Sequence, residues 1–227
     1  MKLFTIPGCW TKAFSVILGT LFVTGALALV VLGLATRHTN LLGWLLAFLG
    51  VGFGLGGGLV LLLERRRSSI REEKGDRSFW AIIPGFITIF YAPPIEYLLL
   101  PALIPRLPVV QYASLAFLFL AFALRLWVRA AIGKMYTGHI QVLEGHRLVR
   151  SGPYRWVRHP GYLGFIIMAL GLAIGYSSLI GLIAIPALML PGLIYRMNVE
   201  EKLLLAQFGD EYLDYTRHTR RLIPGLW

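Results

Sequence analysis

The sequence predicts an all-α fold, a polytopic membrane helical bundle of about six spans whose last two form a helical hairpin, topped by a small cytosolic cap. Three observations predict it. The chain of 227 residues is 57% hydrophobic and only 15% charged, with a mean hydropathy of +0.69. A soluble domain is nearer 45–50% apolar and about 25% charged, so a water-soluble fold is excluded. Apolar runs at 14–35, 41–63, 79–103 and 109–131 each reach the roughly 20 residues needed to cross about 30 Å of hydrocarbon, and a fifth at 162–197 is about twice that long. The charges, finally, are sorted: of 22 Lys and Arg, only Arg37 and Arg106 fall in connections assigned outside. That is the positive-inside pattern, and it puts both termini in the cytosol. The net charge of +11 then follows from topology and from attraction to anionic lipids at about 1 kcal/mol per basic residue. Nucleic acid is not called for.

Along the chain, Lys2 and Lys12 precede an apolar segment too long for a signal peptide, so 14–35 reads as a retained first helix. Cys9 is the single cysteine, which excludes internal disulfides and thiolate zinc sites; no metal site is expected. The glycine-rich run 50–58 lies inside an apolar span and suits close helix packing. It lacks the Lys and Ser or Thr of a phosphate loop. The mixed-charge stretch 64–78 is a solvated connection. In the third span Pro93 and Pro94 remove two donors and are expected to break the helix. Glu96 follows, a carboxylate at membrane depth that serves a site, snorkels to the surface, or pairs with Arg125 or Arg129. In the long fifth run, Tyr176, Ser177 and Ser178 offer the break of a hairpin spanning 162–197. Pro186 and Pro191 predict a kink in its second arm. The organisation is thus four scaffold spans over 1–130 and a chemically richer region over 131–227, comprising the hairpin and a cytosolic tail.

Between Gly133 and Tyr162 the chain leaves the membrane with three of its five histidines. The stretch from His146 to Tyr154 reads as a short extended piece closed by the Gly152–Pro153 turn. Pro160 then stands where the first residue of a helix belongs. The donors of that helix start, with Arg158 and His159 beside it, would favour an anion. Beyond the hairpin, Arg196 and Glu200 are four apart and share a helix face. They form either an exposed pair worth a few tenths of a kcal/mol or two groups aimed at a polar ligand.

The residues His146, Leu148, Val149, Gly152, Tyr154, Arg158, His159, Pro160 and Tyr162 form one block. After the hairpin, Glu200, Glu201, Phe208, Gly209, Glu211, Tyr212 and Tyr215 form another. Together they resemble the isoprenylcysteine carboxyl methyltransferase family and the related phospholipid methyltransferases. The resemblance covers residues 130–227. It implies S-adenosyl-L-methionine as cofactor, with His146, Arg147, Leu148, Val149 and Tyr154 lining its site from the cap. His159, Pro160, Gly161 and Tyr162 would contact it from the helix start and Glu200 from the returning helix, while Arg196 matches a position on the substrate side. A further contact falls near His139 or Gln141; His38 and His218 match nothing. Arg196 and Glu200 are therefore the expected catalytic pair. The partner implied is a lipophilic or prenylated acceptor drawn from membrane lipid.

The chemistry agrees with this implication. The cofactor's carboxylate suits a helix start with His159, and its ammonium and ribose hydroxyls suit Glu200. A carboxylate acceptor needs no base, only orientation by Arg196. An amine acceptor needs one, with Glu201 and His159 as candidates. The competing readings are a sterol-type reductase using NADPH, which the sequence His159–Pro160 and the lack of a 2′-phosphate cluster count against, and a non-enzymatic scaffold or transporter.

Overall fold

The structure, a computed structural model, describes residues 78–133 and 148–227. The predicted spans 14–35 and 41–63, the glycine-rich run, Cys9, His38, His139, Gln141, His146 and Arg147 lie outside the described residues. Within them all regular structure is helical: α1 (Ser78–Leu99), α2 (Pro108–Ile132), a 3-10 turn (Gly152–Arg155), α3 (Pro160–Gly175), α4 (Leu179–Ala184), a π-helical turn (Ile185–Met189), α5 (Leu190–Phe208) and α6 (Asp210–His218). Three stretches have the length and apolarity to cross a membrane: Ala81–Leu99, Pro108–Ile132 and the continuous Leu179–Phe208. The fold class read from composition is thus observed as an all-helical membrane-type bundle in the described part.

The hairpin turns where its sequence breaks. Helix α3 stops at Gly175, Ser177 takes a positive φ of 50°, and Leu179 starts the returning arm. The arms are unequal, 16 residues in α3 against 30 from Leu179 to Phe208. Where Pro186 and Pro191 predict a kink, the arm passes through the π-helical turn Ile185–Met189 and continues as α5 with Pro191 in its first turn. Proline has no N–H to give and crowds the carbonyl four residues back, and widening one turn relieves that clash without ending the helix.

Two expectations for the third span are overturned. Helix α1 runs through Pro84, Pro93 and Pro94 to Leu99 without a break. Pro93 is fully buried, and a Cβ added to Gly181 would lie 2.9 Å from its Cγ. Close packing on the returning arm holds the helix where lost hydrogen bonds would let it bend. Glu96 pairs with neither Arg125 nor Arg129. It is buried, accepts 2.5 Å and 3.0 Å hydrogen bonds from the Ser178 hydroxyl and the Leu179 amide, and takes a third from the Ile180 amide at 3.1 Å. The carboxylate therefore caps α4 from another helix, satisfying donors that an apolar surrounding would leave stranded.

Helix α3 packs on α2, α1 and α4. Its buried residues Met168, Ala169, Leu172 and Ala173 join Met189, Leu193 and Met197 of the returning arm in one core. Between α1 and the returning arm the backbones nearly touch: a Cβ on Gly192 would sit 2.3 Å from the Ala81 carbonyl oxygen, and one on Gly85 2.7 Å from Met189 Cα. Small residues at such crossings drive helix association in lipid. One turn beyond Gly192 lies Arg196, and this crossing delivers it to the N-terminal end of α1.

Candidate functional site

At that end five pieces of chain meet: the start of α1, residues 156–159, the first turn of α3, the middle of α5 and the tail after α6. Pro160 opens α3 with His159 as its N-cap, so His159 and Tyr162 stand on the first turn. Arg196 is almost wholly buried. Its Nε donates to the Tyr162 hydroxyl at 3.0 Å and an Nη to Ser78 Oγ at 3.3 Å. The Tyr162 hydroxyl in turn donates to Glu200 Oε2 at 2.8 Å. Arg196 and Glu200 thus do not form the direct pair that their spacing allows. They are relayed through a phenol from the next helix, and the Glu200 side chain keeps 30% of its surface exposed.

His159 is buried between two carboxylates. Its Nε2 lies 3.1 Å from Glu201 Oε1 and its Nδ1 3.6 Å from Glu200 Oε2, while its ring stacks on Tyr162 at 5.5 Å and 27°. Glu201 is taken up entirely by cations and this imidazole. Arg158 Nε bonds Oε1 at 3.0 Å, and Arg221 reaches Oε1 through Nε at 3.2 Å and Oε2 through Nη2 at 3.0 Å. Bidentate guanidinium bonds of this kind fill the lone pairs a base would need, so Glu201 is not placed to take a proton from an amine. The part expected of Arg158 in an anion seat at the helix start is corrected too. Arg158 turns away to Glu201 and to the carbonyls of Thr216 at 3.3 Å and Thr219 at 2.7 Å, and two carboxylates flank His159. The local charge suits a cation at Glu200 more than an anion at His159.

The remaining predicted residues are distributed around this cluster. Pro160 is buried and Gly161 half-buried, with open space where a Gly161 side chain would start. Tyr154 lies on the 3-10 turn, its carbonyl accepting the Tyr215 hydroxyl at 2.8 Å, and Leu148 and Val149 are half-buried just before it. Burial pushes the Tyr215 phenol up to about 12, which keeps it a donor. Sequence reasoning missed Ser78, Arg221 and the pairing of the tail with 156–159: Arg158 N to Arg220 O at 2.8 Å, His159 N to Arg221 O at 3.1 Å and Arg220 N to Trp156 O at 3.0 Å. No local spacing signals contacts across 60 residues. Among the described residues no group of His, Cys, Asp and Glu is arranged to hold a metal ion.

Residues 114–206 match the model of the isoprenylcysteine carboxyl methyltransferase family. A probable protein-S-isoprenylcysteine O-methyltransferase of Oryza sativa subsp. indica is 28% identical over 117 residues, 51% of this chain and 61% of that protein. The Schizosaccharomyces pombe protein-S-isoprenylcysteine O-methyltransferase is 32% identical over 119 residues, 51% of this chain and 50% of its own length. The matched part therefore spans between half and two thirds of these relatives. A solved eukaryotic intramembrane Ras methyltransferase, an isoprenylcysteine carboxyl methyltransferase, shares the fold with a TM-score of 0.54 at 21% identity, over 88% of this chain and 73% of that one. The resemblance read from the two sequence blocks is borne out over the family-matched residues.

Proposed function

We propose, from the match of residues 114–206 to the isoprenylcysteine carboxyl methyltransferase family, that this chain is an integral membrane methyltransferase. In this reading it uses S-adenosyl-L-methionine to methylate a lipophilic acceptor, best the carboxylate of an isoprenylcysteine-type substrate. The observation that carries the reading is the Tyr162 hydroxyl, bonded to both Arg196 and Glu200. It ties a cation and a carboxylate into one unit at the end of the bundle.

The residues fit the proposed donor by their chemistry. Glu200, partly exposed, complements a cationic ligand. The open space at Gly161 leaves the first turn of α3 approachable. His146, Arg147, Leu148, Val149 and Tyr154 would line the site from the cap, with His159, Pro160, Gly161 and Tyr162 below. When bound, the donor supplies a methyl group on a positively charged sulfur, open to in-line attack. Arg196 orients an acceptor carboxylate, and the surrounding helices strip it of water; alignment and desolvation supply the acceleration. With Glu201 occupied by Arg158 and Arg221, a base-requiring amine such as a phospholipid headgroup is the poorer acceptor. Six spans, a cytosolic cap, and both termini and the site on the cytosolic side complete the reading, with 131–227 as the methyltransferase region and 1–130 as its scaffold.

The test is purified protein with labelled S-adenosyl-L-methionine and three acceptors: a prenylated cysteine with a free carboxylate, its preformed methyl ester, and phosphatidylethanolamine. Label should enter the first alone. Label in phosphatidylethanolamine would shift the assignment to the lipid-amine alternative. Thermal stabilisation by NADPH with none by S-adenosyl-L-methionine would replace it with the reductase reading.

A further inference from the structure

Residues 219–221 lie about sixty positions from the helix start, yet they fix it twice. In the backbone, His159 N donates to Arg221 O and Arg158 N to Arg220 O, while Arg220 N returns to Trp156 O. This builds the parallel bridge of Val157 with Arg220. In the side chains, Arg221 grips both oxygens of Glu201, and Glu201 Oε1 meets His159 Nε2. Arg158 closes the loop by joining Glu201 to the Thr219 carbonyl. His159 is held at both its main chain and its imidazole by groups that trace back to the tail. Its other face stacks on Tyr162, the residue that relays Arg196 and Glu200.

We propose that Arg221 and Glu201 are positioning residues, a strap that sets the His159 ring and, through its stack, the Tyr162 hydroxyl, and so governs affinity for the methyl donor without touching the acceptor. The inference rests on the methyltransferase reading. Its logic is that of other sites in which the group behind an imidazole fixes ring orientation. An imidazole is free to rotate about χ2; an Nε2–carboxylate contact selects one orientation, and a carboxylate clamped by two guanidiniums cannot follow if the ring swings away. Nearly all of the strap is made by partners distant in sequence, so it forms only when the tail docks.

The experiment compares the wild type with Arg221→Ala, Arg221→Lys and Glu201→Gln in the full chain. Affinity for S-adenosyl-L-methionine is measured by calorimetry, acceptor KM by transfer assay, and the His159 ring by long-range proton–nitrogen correlation spectra. Arg221→Ala and Glu201→Gln should weaken donor binding roughly tenfold, the lower end of what such orienting partners carry, with acceptor KM unchanged within about twofold and Arg221→Lys recovering part of the loss. The His159 ring signals should shift and broaden in Arg221→Ala with no donor present. Unchanged donor affinity and ring signals in a folded Arg221→Ala overturn the strap. A wild type that binds no donor defeats the methyltransferase reading instead, and the ring spectra still decide whether the tail positions His159.

Discussion

Glu96 and Glu200 are both carboxylates at the ends of the same helical bundle, and their surroundings set them apart. Glu96 is buried, and its described partners are a hydroxyl and two backbone amides; these are groups of the fold, and the carboxylate completes a helix end. Glu200 is partly open to the outside and is bonded by a phenol that also holds a buried guanidinium. The first carboxylate is consumed by architecture, and the second keeps part of its surface open. An acidic residue at membrane depth is by default a functional hypothesis; here the count of backbone donors around it is what discriminates.

Substitutions on the two sides should separate cleanly. The largest effect is expected at the open end: Glu200→Ala should lower methyl transfer at least about a hundredfold, as loss of a charged contact made to a bound ligand does, while its melting temperature stays close to that of the wild type. Radiolabel transfer and a thermal melt on the same preparation check this. At the closed end the pattern should invert. Glu96→Ala leaves the Leu179 and Ile180 amides unpaired and should destabilise the chain by about 3 kcal/mol, with transfer per folded molecule preserved; denaturant melts in detergent paired with activity normalised to folded protein report it.

The crossing that connects the two ends gives an intermediate case. Gly192→Ala forces α5 off the Ala81 carbonyl and should cost about 1–3 kcal/mol as overpacking. It should also cut activity, because Arg196 is carried away from Ser78. Tyr162→Phe should lower transfer about tenfold and also cost about 1–3 kcal/mol of stability, because the buried Arg196 Nε loses its acceptor. The smallest effect is at high pH. Tyr215 ionises near pH 10 when unfolded and near 12 when folded, so the stability it supports is present below pH 10 and is lost as the pH rises from 10 to 12. Tyr215→Phe should flatten that alkaline loss in a pH series of melts.

Much of this fold is legible in the sequence because membrane helices are written in hydropathy. Predicted runs at 79–103 and 109–131 correspond to Ser78–Leu99 and Pro108–Ile132, and Tyr176–Ser178 marks the hairpin turn. Prolines are read less well: Pro186 falls in a π-helical turn, whereas α1 runs unbroken through Pro93 and Pro94, with Pro93 buried against Gly181. At the site, His159, Tyr162, Arg196 and Glu200 are brought together, but the connection through Tyr162 is invisible to spacing, since it joins two helices. Arg158 misleads for the same reason. Beside a helix start it reads as an anion ligand, and only the docked tail reveals that Glu201 and two carbonyls have claimed it.

The central claim is that Glu200 has kept its surface for a cationic donor. Titration of S-adenosyl-L-methionine into wild type, Glu200→Gln and Glu96→Gln by calorimetry tests it most directly. Saturable binding should be seen in the wild type and in Glu96→Gln, and be weakened at least about tenfold in Glu200→Gln. Equal affinity in wild type and Glu200→Gln would contradict it.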